Sequence, residues 1–199
     1  LSQFIITYGP GAILEGRDGP RVIPCPDIGL VDSGFSPEQF EISDRRMTHG
    51  LLGGARIFRL PSNAELGREQ NRCLYRTKSF PDWKLCLNTT QHSNDHPYIL
   101  YRGTTCPECR AVGRRSEPIR FIVACPEGHM DDVDWNHLVH RNDSGCQGSN
   151  YFRWHGGGGT LSNIVLECPR CKKSQNLGYA YGLSWTCSGR YPEREPLNS

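Results

Sequence analysis

The sequence has no long apolar run. Its most hydrophobic stretch, Phe121 to Cys125, covers five residues, far short of the ~20 that a membrane-crossing helix needs. It also has no long stretch free of helix breakers: 22 Gly and 14 Pro are spread through 199 residues, which excludes a coiled coil or helical solenoid and favours turns and loops. No sign of charge dominates. Lys and Arg number 23 against 21 Asp and Glu, a net +2, so overall charge does not argue for nucleic acid. A nucleotide loop is missing too. The run His155-Gly156-Gly157-Gly158-Gly159-Thr160 lacks the Lys-Ser/Thr of a phosphate-binding loop and reads as a flexible connection. No His-Glu-x-x-His is present. Leu1 opens the chain and no charged–apolar–small leader follows it, so a fragment or processed product is expected.

What is abundant is cysteine, ten residues beside seven histidines. Two pairs are Cys-Pro-x-Cys, at Cys106/Cys109 and Cys168/Cys171. Thiolates three positions apart across a turn can reach one tetrahedral ion, and the turn aims backbone N–H groups at the sulfurs. A redox Cys-x-x-Cys would sit at a helix start in a βαβ unit, which this sequence does not offer. The spacing therefore predicts two Zn2+ ions rather than disulfides. For Cys168 and Cys171 the expected partners are Cys146 and Cys187, with Asn163–Glu167 leading into the knuckle and 178–185 returning to Cys187, as in a zinc ribbon. For Cys106 and Cys109 the expected partners are Cys86 and one of His92, Cys73 or Cys125, with His92 favoured because it lies near Cys86. Cys25 reads as a small buried or free thiol.

Along the chain, Phe4–Tyr8, Ile57–Leu60, Tyr98–Arg102 and Ile119–Ala124 read as strands, the last buried. Ser36-Pro37-Glu38-Gln39 and Ser62-Asn63-Ala64-Glu65 read as capped helix starts. Trp135, Leu138 and Val139 fall at i, i+3 and i+4 and predict a short helix near 132–141, capped by Asp131 or Asp132. Around it, Cys125, His129, Asp131, Asp132, His137 and His140 admit two readings. One is a catalytic metal site; the other, preferred here, is a structural turn or zinc ligand at Cys125 and His129 with acids that cap the helix.

Taken together, Tyr8-Gly9-Pro10-Gly11-Ala12, Phe80-Pro81-x-Trp83-x-x-Cys86, Pro118 to Cys125 followed by Gly128-His129, Asp131-Asp132, Trp135 and His140, and Cys187-Ser188-Gly189-Arg190 resemble the amino-terminal part of DrmB-type proteins of the DISARM anti-phage system. One departure concerns Cys86, which is followed by Leu87-Asn88-Thr89 where the family carries a second knuckle cysteine. The resemblance implies a cytoplasmic, non-catalytic subunit that pairs with a helicase-like protein of DrmA type and contributes to DNA binding. The phosphate-contact candidates are Arg110, Arg114 and Arg115 at one knuckle and Arg170, Lys172 and Lys173 at the other.

The expectation is thus a β-rich α+β fold of zinc-ribbon-like modules with short helices and many loops. Its segments would be 1–80, 81–130 and 131–199. Rival functions are a zinc-dependent hydrolase or nuclease using His129 and Asp131, and a stand-alone zinc-ribbon adaptor for nucleic acid. One four-cysteine site and one three-cysteine, one-histidine site would turn the net charge of +2 into −1, because each thiolate adds one negative charge and each ion only two positive ones.

Overall fold

A computed structural model of the chain describes residues 7–62, 64–65, 76–93, 95, 97–112, 115–141 and 145–196. Most of the strand expected at Phe4–Tyr8 lies outside the described residues, as do Cys73 and Arg114. The chain is α+β and rich in strands, with few and short helices. It divides into two compact units, one comprising Leu1–Gly16, Arg21–Ser79 and Tyr191–Ser199, the other Arg17–Pro20 and Phe80–Arg190.

In the first unit, β1 (Ile13–Gly16), β2 (Gly19–Val22) and β3 (Lys78–Ser79) form a three-stranded sheet. Helix α1 (Pro26–Asp32) begins with Pro26, whose missing N–H costs nothing at a helix start. Its buried Leu30 packs with Phe40, and Phe35 closes edge-on over Phe40 at 6.1 Å. The start expected at Ser36 proves to be a single 3-10 turn, Pro37–Phe40. At Ser62 the reciprocal bonds of a capping box are present, Ser62 N to Glu65 Oε2 at 2.6 Å and Glu65 N to Ser62 Oγ at 3.3 Å. The strand expected at Ile57–Leu60 shrinks to one bridge between Glu41 and Phe58.

The second unit is organised by a six-stranded antiparallel sheet. Its strands are β4 (Trp83–Cys86), β5 (Tyr98–Arg102), β6 (Ser116–Pro118), β9 (Tyr151–His155), β10 (Val165–Glu167) and β11 (Ser174–Asn176), in the spatial order β11-β10-β9-β5-β4-β6. Because β5 pairs along its length with β9, strands from the 81–130 and 131–199 segments share one sheet. Side chains alternate across a pleated strand, so register sorts them. Cys86 opposite Ile99, with Tyr101 and Tyr151, lies on one face. Leu85 opposite Leu100, with Phe152, Trp154 and Leu166, lies on the other. Strand β5 is therefore buried on both sides at Ile99, Leu100 and Tyr101.

The Leu100 face carries the main core. Helix α2 (Trp135–His140) lays Trp135, Leu138 and Val139 into the cluster of Leu100, Phe152, Trp154 and Leu166. That stripe is the one read from the sequence, but the helix starts later than the acid pair. Asp134 is its cap, accepting from the His137 N–H at 2.9 Å. Asp131 and Asp132 belong to β8 (Met130–Asp132), which pairs with β7 (Ile122–Ala124). Strand β7 is only half-buried, because it forms a two-stranded hairpin rather than a central strand.

The glycine run after β9 contains one position with no freedom. Gly156 has φ +83°, and a Cβ there would stand 2.0 Å from the carbonyl oxygen of Asn163. Gly156→Ala is expected to destabilise the protein by more than the ~1–2 kcal/mol of left-handed strain alone, read by urea denaturation. Gly157→Ala, with open space around it, is expected to change stability by under about 0.5 kcal/mol.

Candidate metal centres

Three groups of Cys and His side chains converge, each with ligand atoms all within 4.8 Å of one another. Thiolate and imidazole donors ~2.3 and ~2.0 Å from one tetrahedral ion stand about 3.5–3.8 Å apart, a spacing that close pairs in each group approach.

The first centre joins Cys86, His92, Cys106 and Cys109. Cys86 ends β4, and a 3-10 turn at Thr89–Gln91 carries the chain back to His92. The Cys86 and Cys109 sulfurs are 3.6 Å apart, and Cys106 Sγ is 3.7 Å from His92 Nε2. The other ring nitrogen of His92 meets the Pro97 carbonyl at 2.7 Å, which fixes the ring with Nε2 free for an ion. The knuckle folds because the Arg110 N–H returns to the Cys106 carbonyl, with Arg110 itself at φ 59°. It is pinned to the sheet by Glu108, which accepts from Arg153 at 3.0 Å.

The second centre joins His140, Cys146, Cys168 and Cys171. Its knuckle repeats the first: the Lys172 N–H bonds the Cys168 carbonyl at 3.0 Å, and Lys172 has φ 64°. Cys171 Sγ is 3.4 Å from His140 Nε2, while His140 Nδ1 meets the Asn136 carbonyl at 3.1 Å. Again the backbone holds the far ring nitrogen and presents the near one.

The third group is Cys125, His129 and Cys187. Cys125 and His129 flank the β7–β8 turn, where Gly128 at φ 83° allows the chain to reverse. His129 Nδ1 lies 3.3 Å from Cys125 Sγ and 3.4 Å from Cys187 Sγ, and the two sulfurs are 3.6 Å apart. The Met130 N–H to the Arg190 carbonyl, 3.0 Å, brings the Cys187 segment alongside β8.

Backbone N–H groups turned toward the sulfurs tune them. Burial pushes Cys106 up to about 12 despite donors from Cys109 and Glu108. Burial also opposes ionisation of Cys109, but the Ala111 N–H, His92 and the neighbouring thiols outweigh it and hold it at about 6. Cys168 is likewise raised by burial; in Cys171 burial again opposes ionisation, but the Lys173 N–H and the Cys168 and Cys146 thiols together outweigh it and lower the thiol. The pattern recurs in both knuckles: one thiol ionises readily, and the ion must displace a proton from the other.

Among the sequence candidates, the structure brings Cys86, His92, Cys106 and Cys109 together as one set. Cys146, Cys168 and Cys171 also meet, but Cys187 is not their partner. It sits with Cys125 and His129, because the chain after β11 runs through a 3-10 stretch (Leu177–Gly182) toward the β7–β8 hairpin instead of returning to the knuckle. His140 fills that place. The signal was available, since α2 buries its own last residue, His140, six positions before Cys146. Cys25 lies at the start of α1 in none of the three groups.

Asp131 and Asp132 face a common cation. Arg190 reaches Asp131 at 2.6 Å and Asp132 at 3.2 Å, and Asp132 also accepts from the Asp82 N–H at 2.9 Å. Burial raises Asp132 and outweighs these partners. Arg190→Met strips the cation from the nearly buried Asp132 and the partly exposed Asp131 and is expected to cost about 1–3 kcal/mol, measured by denaturant titration. The cationic candidates Arg110, Arg115, Arg170, Lys172 and Lys173 are all exposed. Arg115 is tied to Asn88 at 3.0 Å and Lys172 to Glu167 at 3.4 Å.

No helix among the described residues is long and apolar enough to cross a membrane. A family model described as "Domain of unknown function (DUF8724)" matches residues 1–198. The chain is also similar to a protein named "DISARM protein DrmB" from Bacillus paralicheniformis, 34% identical over 100 residues that cover 48% of this chain and 17% of that protein. The chain therefore matches less than a fifth of that relative's length.

Proposed function

Given that the chain belongs to the DUF8724 family, which spans residues 1–198, we propose that it is a metal-stabilised, non-catalytic part of a DISARM defence protein. In this reading it holds Zn2+, pairs with a helicase-like subunit of DrmA type and contributes to DNA binding in the cytoplasm. Similarity to DrmB supports the defence assignment. The observation that carries the metal-stabilised, non-catalytic reading is the pair of complete Cys3His centres, each with its imidazole oriented by a backbone carbonyl, the donor set of closed structural zinc sites. Closed sites position surfaces; here they present two knuckle tips bearing Arg110 and Arg170-Cys171-Lys172-Lys173.

DNA contact through these tips would be with phosphates and carry no sequence preference. Co-purification with the helicase-like subunit, followed by DNA binding across a salt series, tests the reading. Arg170→Gln, Lys172→Asn and Lys173→Gln together are expected to flatten the log–log salt slope by about 2–3; Asn tolerates the left-handed backbone at Lys172. An unchanged slope removes this tip from the interface.

The three-donor group at His129 favours a second reading, a zinc-dependent nuclease using His129 and Asp131, since catalytic zinc keeps an open position. Against it, Asp131 is bonded to Arg190 and offers no free base. Metal-dependent DNA cleavage abolished by Asp131→Asn would move the assignment there.

A further inference from the structure

We propose that Cys125, His129 and Cys187 bind a third metal ion whose fourth coordination position is left open for an exogenous thiol. All three ligand pairs lie at 3.3–3.6 Å, as close as the ligands of the two complete centres. No fourth Cys, His or carboxylate joins them among the described residues. The nearby acids are committed elsewhere: Asp131 and Asp132 to Arg190, and Asp134 to the start of α2. Cys187 is exposed, whereas Cys86, Cys106 and Cys168 are buried. The three ligands line a cleft of about 180 Å³, room for a donor of side-chain size.

The chemistry of that cleft selects the donor. Two thiolates balance a dication, so this centre is neutral, while each Cys3His centre carries one negative charge and repels anions. Val123, Ala124, Met130 and Trp185 give the cleft its apolar wall, beside Thr186, Ser188 and the carboxylates of Asp131, Asp132 and Asp134, which among the described residues are already bonded to Arg190 or to the start of α2. A soft ion already held by two sulfurs prefers a thiolate as its fourth ligand. The thiol binds through its sulfur and releases its proton to solvent, with no change of oxidation state.

Cobalt(II) substitution of the full chain reads this directly. The wild type is expected to bind three equivalents, and adding 2-mercaptoethanol should strengthen the sulfur-to-cobalt charge-transfer band and shift the visible bands. Cys187→Ser and Cys125→Ser should each bind two equivalents, keep the wild-type far-UV spectrum and show no response to thiol. Titrating a cysteine-containing hexapeptide in parallel separates the sources: a tighter response than to 2-mercaptoethanol assigns a cysteine of another chain, and an equal one a small thiol. Two equivalents in the wild type would overturn the third site while leaving the two structural centres intact. Three equivalents with spectra blind to both thiols would overturn the open position.

Discussion

Cys106→Ser and Cys168→Ser are each expected to remove one bound metal ion and to cost more than about 4 kcal/mol of stability, the range reserved for loss of a metal or a buried network. Both sulfurs are fully buried, Cys106 against Ile99 and Tyr101, and Cys168 against the Leu100 face of the same sheet. Removing one ligand leaves two thiols and an imidazole inside with no ion to satisfy them. Because the two centres brace opposite faces of the central strands, neither can replace the other. The effect should still fall short of the ~10–16 kcal/mol seen when zinc alone folds a peptide, since the sheet buries an apolar core of its own. Denaturant titration with metal counting checks both parts; a serine variant that loses its ion yet keeps wild-type stability would show the ion to be ornamental.

Trp135→Ala should cost about 3–5 kcal/mol and also weaken the second metal centre. Trp135 is 1% exposed and meets Trp83 at 6.3 Å and Phe121 at 6.4 Å, both edge-to-face, an arrangement that adds to simple burial. It anchors the first turn of α2, whose last residue is the ligand His140, so a loosened helix misplaces that imidazole. Trp135→Phe should cost much less. The buried indole N–H has no hydrogen-bond partner among the described residues, so its removal strands nothing there. Cobalt affinity measured beside stability separates the two consequences: the second centre should weaken and the first should not.

How much of this was legible in the sequence depended on how local each feature is. The knuckles were, because Cys-Pro-x-Cys dictates its own turn and its own N–H donors. The strand at Tyr98–Arg102 and the apolar stripe of α2 were legible for the same reason. His92 was reachable because only a short turn separates it from Cys86. Cys187 was misassigned because nearness in sequence to Cys171 says nothing about where β11 and the following 3-10 stretch send the chain. Asp131 and Asp132 looked like helix caps because Asp starts helices so often; pairing of β8 with β7 takes them first, and Asp134 caps instead.

The corrected ligand sets also change the electrostatics. Filled with Zn2+, two Cys3His centres and the proposed neutral Cys2His centre would bring the formal +2 to zero rather than to −1. A metal-loaded chain without net charge has no long-range pull on DNA, so under the proposed function any DNA affinity would rest on the local clusters at the knuckle tips or on the proposed partner subunit.

The central claim is that Cys86/His92/Cys106/Cys109 and His140/Cys146/Cys168/Cys171 are two separate closed metal centres. Native mass spectrometry of the purified chain, with His92→Ala and His140→Ala beside the wild type, tests it most directly. Each variant should carry one ion fewer than the wild type, and thiol alkylation of the folded wild type should spare Cys106 and Cys168. A folded wild type that carries no transition metal, with those two cysteines freely alkylated, would contradict it.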